Sequence, residues 1–206
     1  MNEVTNNYTL YVMGEYDGIH KPYIEKHLSS GSSSGTIKEE IICNLIGAKH
    51  NPKGTGFDGW TLPELRPLEV KAETYNKDHK LNGGAAFGSI ISHIKLEEFL
   101  KADQVYYGSG WTEDGFLVYL IEVDFNKTEM QTQIYEHVNN IVAGSGGVPK
   151  ITYKCWKDSD FKILYYIPEY EHLMTGPFIK VLQQKNYLAS PSFESILDKI
   201  GGDFRS

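Results

Sequence analysis

The chain has little cysteine, little arginine and no long apolar run, and each shortage excludes something. Two cysteines in 206 residues, Cys43 and Cys155, cannot build a disulfide framework or, by themselves, a zinc site. The default expectation is therefore a reducing, intracellular (cytoplasmic) compartment. No stretch approaches the roughly 18 apolar residues that a membrane span needs, so no membrane association is expected. The N-terminus lacks a basic start followed by an apolar segment, so no signal peptide is expected. Only Arg66 and Arg205 are arginines, against 18 lysines, which limits bidentate reading of guanine. Phosphate-binding P-loop, Rossmann, nucleophile-elbow and zinc-protease patterns are all missing. Seven histidines show no zinc spacing.

What is there describes a folded protein. The chain is 40% hydrophobic and 23% charged, and 14 Tyr, 9 Phe and 3 Trp are too many for a solvated chain. Its length suits one domain, 1–206, with a core at about 36–126 and further elements over 127–206. A net charge of −7 argues against a nonspecific polyanion binder. The charge is uneven, however. Residues 102–126 carry five acids and no base, whereas Val142 to Lys157 holds three lysines and no acid.

Local patterns alternate between helix and strand. Tyr8–Met13 reads as a strand, Pro22–Leu28 as a short element and Ser29–Gly35 as a small-residue loop. Thr36 and Glu39 fit a capping box that opens a helix. Ile37, Ile41, Ile42, Leu45 and Ile46 supply its apolar stripe, and Gly47 ends it. Leu68–Glu73 alternates as a strand, with Leu68, Val70 and Ala72 on one face and Glu69, Lys71 and Glu73 on the other. A second helix is predicted over Phe87–Leu100. A hairpin joins Gln104–Trp111 to Phe116–Phe125, and a third helix covers Glu129–Val142. A second hairpin is predicted from Lys150–Trp156 and Phe161–Ile167, and a short helix near Phe193–Ile200. The tyrosine pairs 106–107 and 165–166 read as strand residues with one ring buried. The order is α/β, a mixed central sheet flanked by helices.

The chemistry concentrates in Gly56-Phe57-Asp58-Gly59 and Leu68-Glu69-Val70-Lys71. Glu69 and Lys71 project from one strand face. An Asp on a neighbouring extended segment can join Glu69 in a small oxygen-rich site suited to Mg²⁺. A lysine beside it can orient or deprotonate water, or offset charge on a phosphate. Glu39 or Glu40 on the preceding helix could reach the same place. The same residues could also form an ordinary salt-bridged strand face.

This order of elements resembles the PD-(D/E)xK nuclease superfamily, which includes many type II restriction endonucleases and some junction resolvases. The pieces are an acid on the first helix, Asp58, and Glu69-Val70-Lys71 after a ten-residue gap. Phe57 stands where the motif has proline. The resemblance covers about 40 residues. It implies a restriction-endonuclease-like core in which Asp58 and Glu69 bind Mg²⁺, Lys71 assists the attacking water, and Glu39 (with Glu40 as rival) completes the site. It further implies hydrolysis of double-stranded DNA, most like a type II restriction enzyme working as a homodimer on a symmetric site. A structure-specific repair or recombination nuclease and a catalytically silent DNA-binding module are the alternatives.

Two segments are candidates for DNA contact. Lys77, Lys80 and Asn82 lie in the polar loop after the motif strand. Lys150, Lys154 and Lys157 lie beyond a Gly-Ser-Gly-Gly break, where Lys150, Thr152, Lys154 and Trp156 would share a face if the strand were regular. Either segment could equally be a plain surface loop or a lysine-guarded sheet edge. Glu73 reads as an outer group of the site or a solvated strand end, and His93 as a packed or surface histidine.

Overall fold

Three long strands set the frame: β3 (Pro67–Thr74), β5 (Val105–Trp111) and β6 (Leu117–Asp124). The computed structural model describes residues 31–51, 56–86, 93–101, 103–113, 115–124, 128–144, 150–155 and 161–184. β5 and β6 form the predicted hairpin, closed by the Thr112–Phe116 turn. β3 and β5 run parallel, in register Glu69↔Tyr106 through Glu73↔Gly110. A parallel pair needs a crossover, and α2 (His93–Lys101) lies within that connection. Short β1 (Lys49–His50) and β2 (Gly59–Trp60) extend the sheet on one side, and β8 (Phe161–Tyr166) on the other. The result is a six-stranded mixed sheet, ordered β1-β2-β3-β5-β6-β8.

Both faces are covered, which explains why β5 and β6 are apolar nearly throughout. On one face lies α1 (Gly31–Leu45), whose Ile41, Ile42, Cys43 and Leu45 pack with Leu68, Val70 and Trp111. Burying each such Leu or Ile contributes roughly 1.5–3 kcal/mol. The other face packs Tyr106, Tyr119, Ile121 and Val123 with Leu96 of α2, Ile134 and Val138 of α3 (Thr128–Val142), and Phe178 and Leu182 of α4 (Gly176–Gln184). No described helix is long and apolar enough to cross a membrane.

Several expectations need correction. α1 begins at Gly31, so Thr36 lies inside the helix and Gly31–Gly35 is helical rather than a loop. A cap contributes only about 1 kcal/mol, and once the packed turns around Ile41 have nucleated the helix, it extends through serines at small cost per residue. The C-terminal signal holds. Gly47 has φ +68°, Ala48 N–H donates to Cys43 O at 2.7 Å and Gly47 N–H to Asn44 O at 3.3 Å. This is a Schellman close that glycine adopts without Cβ strain.

The second hairpin does not form. β7 is only Lys150–Ile151 and pairs with β4 (Ala85–Ala86), while Tyr153–Cys155 makes a 3₁₀ turn. β8 pairs with β6 instead, so Lys150, Thr152 and Lys154 do not share a regular strand face. Local alternation cannot choose between partners, and β8 gains the apolar face of β6. Both members of each tyrosine pair are buried. Tyr8–Met13, Pro22–Leu28, residues 87–92, Trp156, Lys157 and Phe193–Ile200 lie outside the described residues.

Candidate active site

Asp58 is placed by the chain entering β2. Its N–H donates to Leu68 O at 3.1 Å, and its carbonyl accepts from Asn51 N–H at 2.8 Å. β2 is short, and beyond its pairing with β3 the Val70 N–H donates to Asp58 Oδ2 at 2.7 Å. The carboxylate thus serves a backbone donor of β3 and is held beside the Glu69–Lys71 face. Gly59, the next residue, lets β2 pack closely on β1, because a Cβ there would sit 2.5 Å from Lys49 O.

Lys71 joins the group. Its Nζ forms an ion pair with Glu69 Oε1 and lies 3.9 Å from Asp58 Oδ2. Glu69 is buried. Burial pushes its carboxyl up to about 7, a shift that Lys71 opposes and Asp58 reinforces. Burial also raises Asp58, against the pull of Lys71, the Val70 hydrogen bond and His50. For Lys71, burial favours the neutral amine, but Glu69 and Asp58 outweigh it and hold the ammonium above its usual range.

From the helix, the Glu39 carboxyl acts electrostatically on this group. It is raised by burial and by Asp58, with Lys71 opposing, and it acts in turn on Glu69 and Lys71. Three carboxyls thus act on one ammonium, and their full ionisation would leave an excess of negative charge that proton uptake or a further cation can offset. The donors are all oxygen, as a hard divalent ion prefers. No group of three or more His, Cys, Asp or Glu forms a metal cage among the described residues. Mg²⁺ does not need one, since it keeps waters and takes one or two carboxylates plus substrate oxygens.

The remaining candidates fall elsewhere. Lys77 is exposed in the turn closed by Asn76 and His79, Lys80 is exposed just after it, and Lys154 is exposed in the 3₁₀ turn. Asn82 accepts at its carbonyl from Tyr153 N–H at 3.2 Å, so the two lysine segments meet. Lys150 lies on β7 opposite Ala86. His93 sits against the Tyr135 ring, 5.5 Å between centroids. Arg66 pairs with Asp103 at 2.7 Å.

Glu73 is neither a solvated strand end nor a member of the trio. Its buried carboxylate accepts from His79 Nε2 at 2.7 Å, Asn82 N–H at 2.8 Å, Gly83 N–H at 3.0 Å and Tyr119 O–H at 3.1 Å. Tyr119 can reach it because Gly110 has no side chain, since a Cβ there would lie 2.0 Å from the tyrosine ring. Gly110 in β5 is the sequence feature that permits that close approach.

No family model matches the chain, and no curated protein does. Among solved structures, it is similar to a "Restriction endonuclease in complex with substrate DNA". That likeness covers 90% of this chain and 99% of the other, at 12% identity and a TM-score of 0.40. At that score the likeness decides nothing about function.

Proposed function

We propose that the protein is a Mg²⁺-dependent endonuclease that hydrolyses phosphodiester bonds in double-stranded DNA, in the manner of a type II restriction enzyme acting as a homodimer. The observation that carries this reading is the convergence of Asp58, Glu69 and Lys71, with Glu39 electrostatically joined to them. Asp58 and Glu69 would hold the metal, and Glu39 would adjust their charge from the helix side. When bound, Mg²⁺ supplies Lewis acidity to a phosphoryl oxygen and lowers the pKa of water. In the metal-free protein Lys71 is held charged by its two acids, and as an ammonium it would contribute electrostatically. Its ammonium orients a water by hydrogen bonding and offsets charge that grows on the phosphoryl oxygens.

The test is incubation of the wild type, Asp58→Ala and Lys71→Ala with long duplex DNA and Mg²⁺. Discrete fragments from the wild type alone are expected. A smear lost in both variants would keep the site and replace the restriction reading with a nonspecific or structure-directed nuclease. No cutting by the wild type, with Mg²⁺ or Mn²⁺ and across several DNA sources, would overturn the enzyme reading.

A further inference from the structure

Two lysine-bearing segments, far apart in sequence, are tied together by backbone hydrogen bonds. The first, Asn76–Gly83, leaves β3 directly after the Glu69–Lys71 pair. Its exposed residues, Asn76 to His79 and Lys80, stand on a base fixed at several points. Leu81 is fully buried, its N–H donates to Leu173 O at 3.0 Å, and its carbonyl accepts from Thr175 N–H at 2.9 Å. The second segment, Lys150–Cys155, is bound to the first through Tyr153 N–H to Asn82 O, and its β7 pairs with β4 just beyond Gly84. Together they carry four lysines against one acid, Asp78, in a chain of net charge −7. The acids on the element joined by the Leu81–Met174 bridge are Glu169 and Glu171, and the Glu171 carboxylate accepts from the Tyr166 hydroxyl and the Gln183 amide.

Glu73 fixes the base of this ridge. One carboxylate accepts two loop N–H groups and the His79 ring, and is itself braced by Tyr119. It lies four residues from Glu69 on the same strand, roughly 13 Å away at about 3.3 Å per residue. That separation spans a few phosphates of a duplex, whose strands carry one every 3.4 Å or so along the axis. A loop anchored at that end of the strand, with exposed lysines on it, suits a DNA backbone.

We infer that Asn76–Gly83 and Lys150–Cys155 form one composite contact for the phosphate backbone of duplex DNA, with Lys77, Lys80 and Lys154 as its charges and Glu73 as its positioning residue. This rests on the nuclease reading and adds where the substrate lies. The experiment measures the affinity of the full chain for fluorescent random-sequence duplex DNA, without Mg²⁺, over a series of salt concentrations. Cleavage with Mg²⁺ is followed in parallel.

The triple variant Lys77→Ala/Lys80→Ala/Lys154→Ala is expected to flatten the slope of log affinity against log salt by about 0.9 for each lysine that meets a phosphate. Affinity should fall roughly tenfold or more near 0.1 M salt. Glu73→Gln should raise the DNA concentration for half-maximal cleavage more than it lowers the saturated rate. The three lysines are exposed, so their variant keeps the test open even if Glu73→Gln does not fold. An unchanged slope in the triple variant, while the wild type cuts DNA, would overturn the ridge and leave the nuclease standing. A wild type with neither salt-dependent affinity nor cleavage would overturn both.

Discussion

Glu69 and Glu73 lie on the same face of the same strand, both buried, and their surroundings are opposite. Four donors surround Glu73: a histidine, two backbone amides and a tyrosine hydroxyl. Glu69 has the Lys71 ammonium, shares it with Asp58, and is pushed up to about 7. A carboxylate with its lone pairs filled locally is fully committed to the fold. One that is desolvated, crowded by a second acid and short of donors has capacity left for a cation or a substrate proton. The lesson is that burial alone does not mark a functional acid; the balance of donors around it does.

The sharpest way to break this contrast is through activity. Lys71→Ala and Asp58→Asn are expected to lower DNA cleavage by about 10²-fold or more, the scale for loss of one preorganised charge-stabilising group. Neither should unfold the protein, which circular dichroism would check. Near-normal cleavage by either variant would place the chemistry elsewhere.

Stability reverses the ranking of the two glutamates. Glu73→Ala strands several buried donors at once and is expected to cost about 3–5 kcal/mol in urea denaturation. Glu69→Gln removes a charge that burial and Asp58 already disfavour, so it should stay within about 1 kcal/mol of wild type. Equal losses from the two substitutions would erase the distinction. A smaller effect comes from the far side of the same network. Gly110→Ala puts a methyl group into the Tyr119 ring and displaces its hydroxyl from Glu73, for an expected loss of about 1–3 kcal/mol.

Much of this contrast was legible before the structure, and the reason is range. Asp58, Glu69 and Lys71 are close in sequence and sit on a strand whose alternation fixes its face, so their meeting follows from period two and one short connection. β5 and β6 are likewise joined by a five-residue turn with Gly115 at positive φ. The solvated-end reading of Glu73 fails because one partner is not local: His79, Asn82 and Gly83 follow within ten residues, but Tyr119 does not. Tyr119 reaches it from two strands away, through a gap left by Gly110, and nothing beside Glu73 announces that gap. The β4–β7 pairing fails for the same reason: two-residue strands some 65 residues apart leave no periodicity to detect. Helix α1 was placed correctly over Ile37–Leu45 and started too late, because capping preferences are weak beside the cooperativity of a helix already nucleated.

Lys38 extends the comparison to a buried cation. It is 2% exposed on the α1 side of the sheet, donates to Thr74 Oγ1 at 2.6 Å and lies 5.5 Å from the centre of the Trp111 ring. Burial lowers its pKa to about 8. If short partnering alone marked a chemical group, Lys38 would qualify, yet among the described residues it faces an indole and a hydroxyl rather than a cluster of acids. It is therefore expected to be a cost to folding and nothing more. Lys38→Met should leave cleavage unchanged and raise stability at pH 7 by about 1–2 kcal/mol, as for other buried charges replaced by apolar groups of similar shape. The pH dependence gives the sign. The folded chain gives up this proton near pH 8, and the unfolded chain holds it to about 10.5. Between those values the unfolded state binds more protons, so wild-type stability gains from this group as pH rises. The advantage of Lys38→Met should shrink over that window and stay constant below it. Urea denaturation of both proteins at pH 7, 8, 9 and 10 measures the difference directly. An advantage that does not shrink would show that the ammonium is not desolvated, and Lys38 would drop out of the comparison.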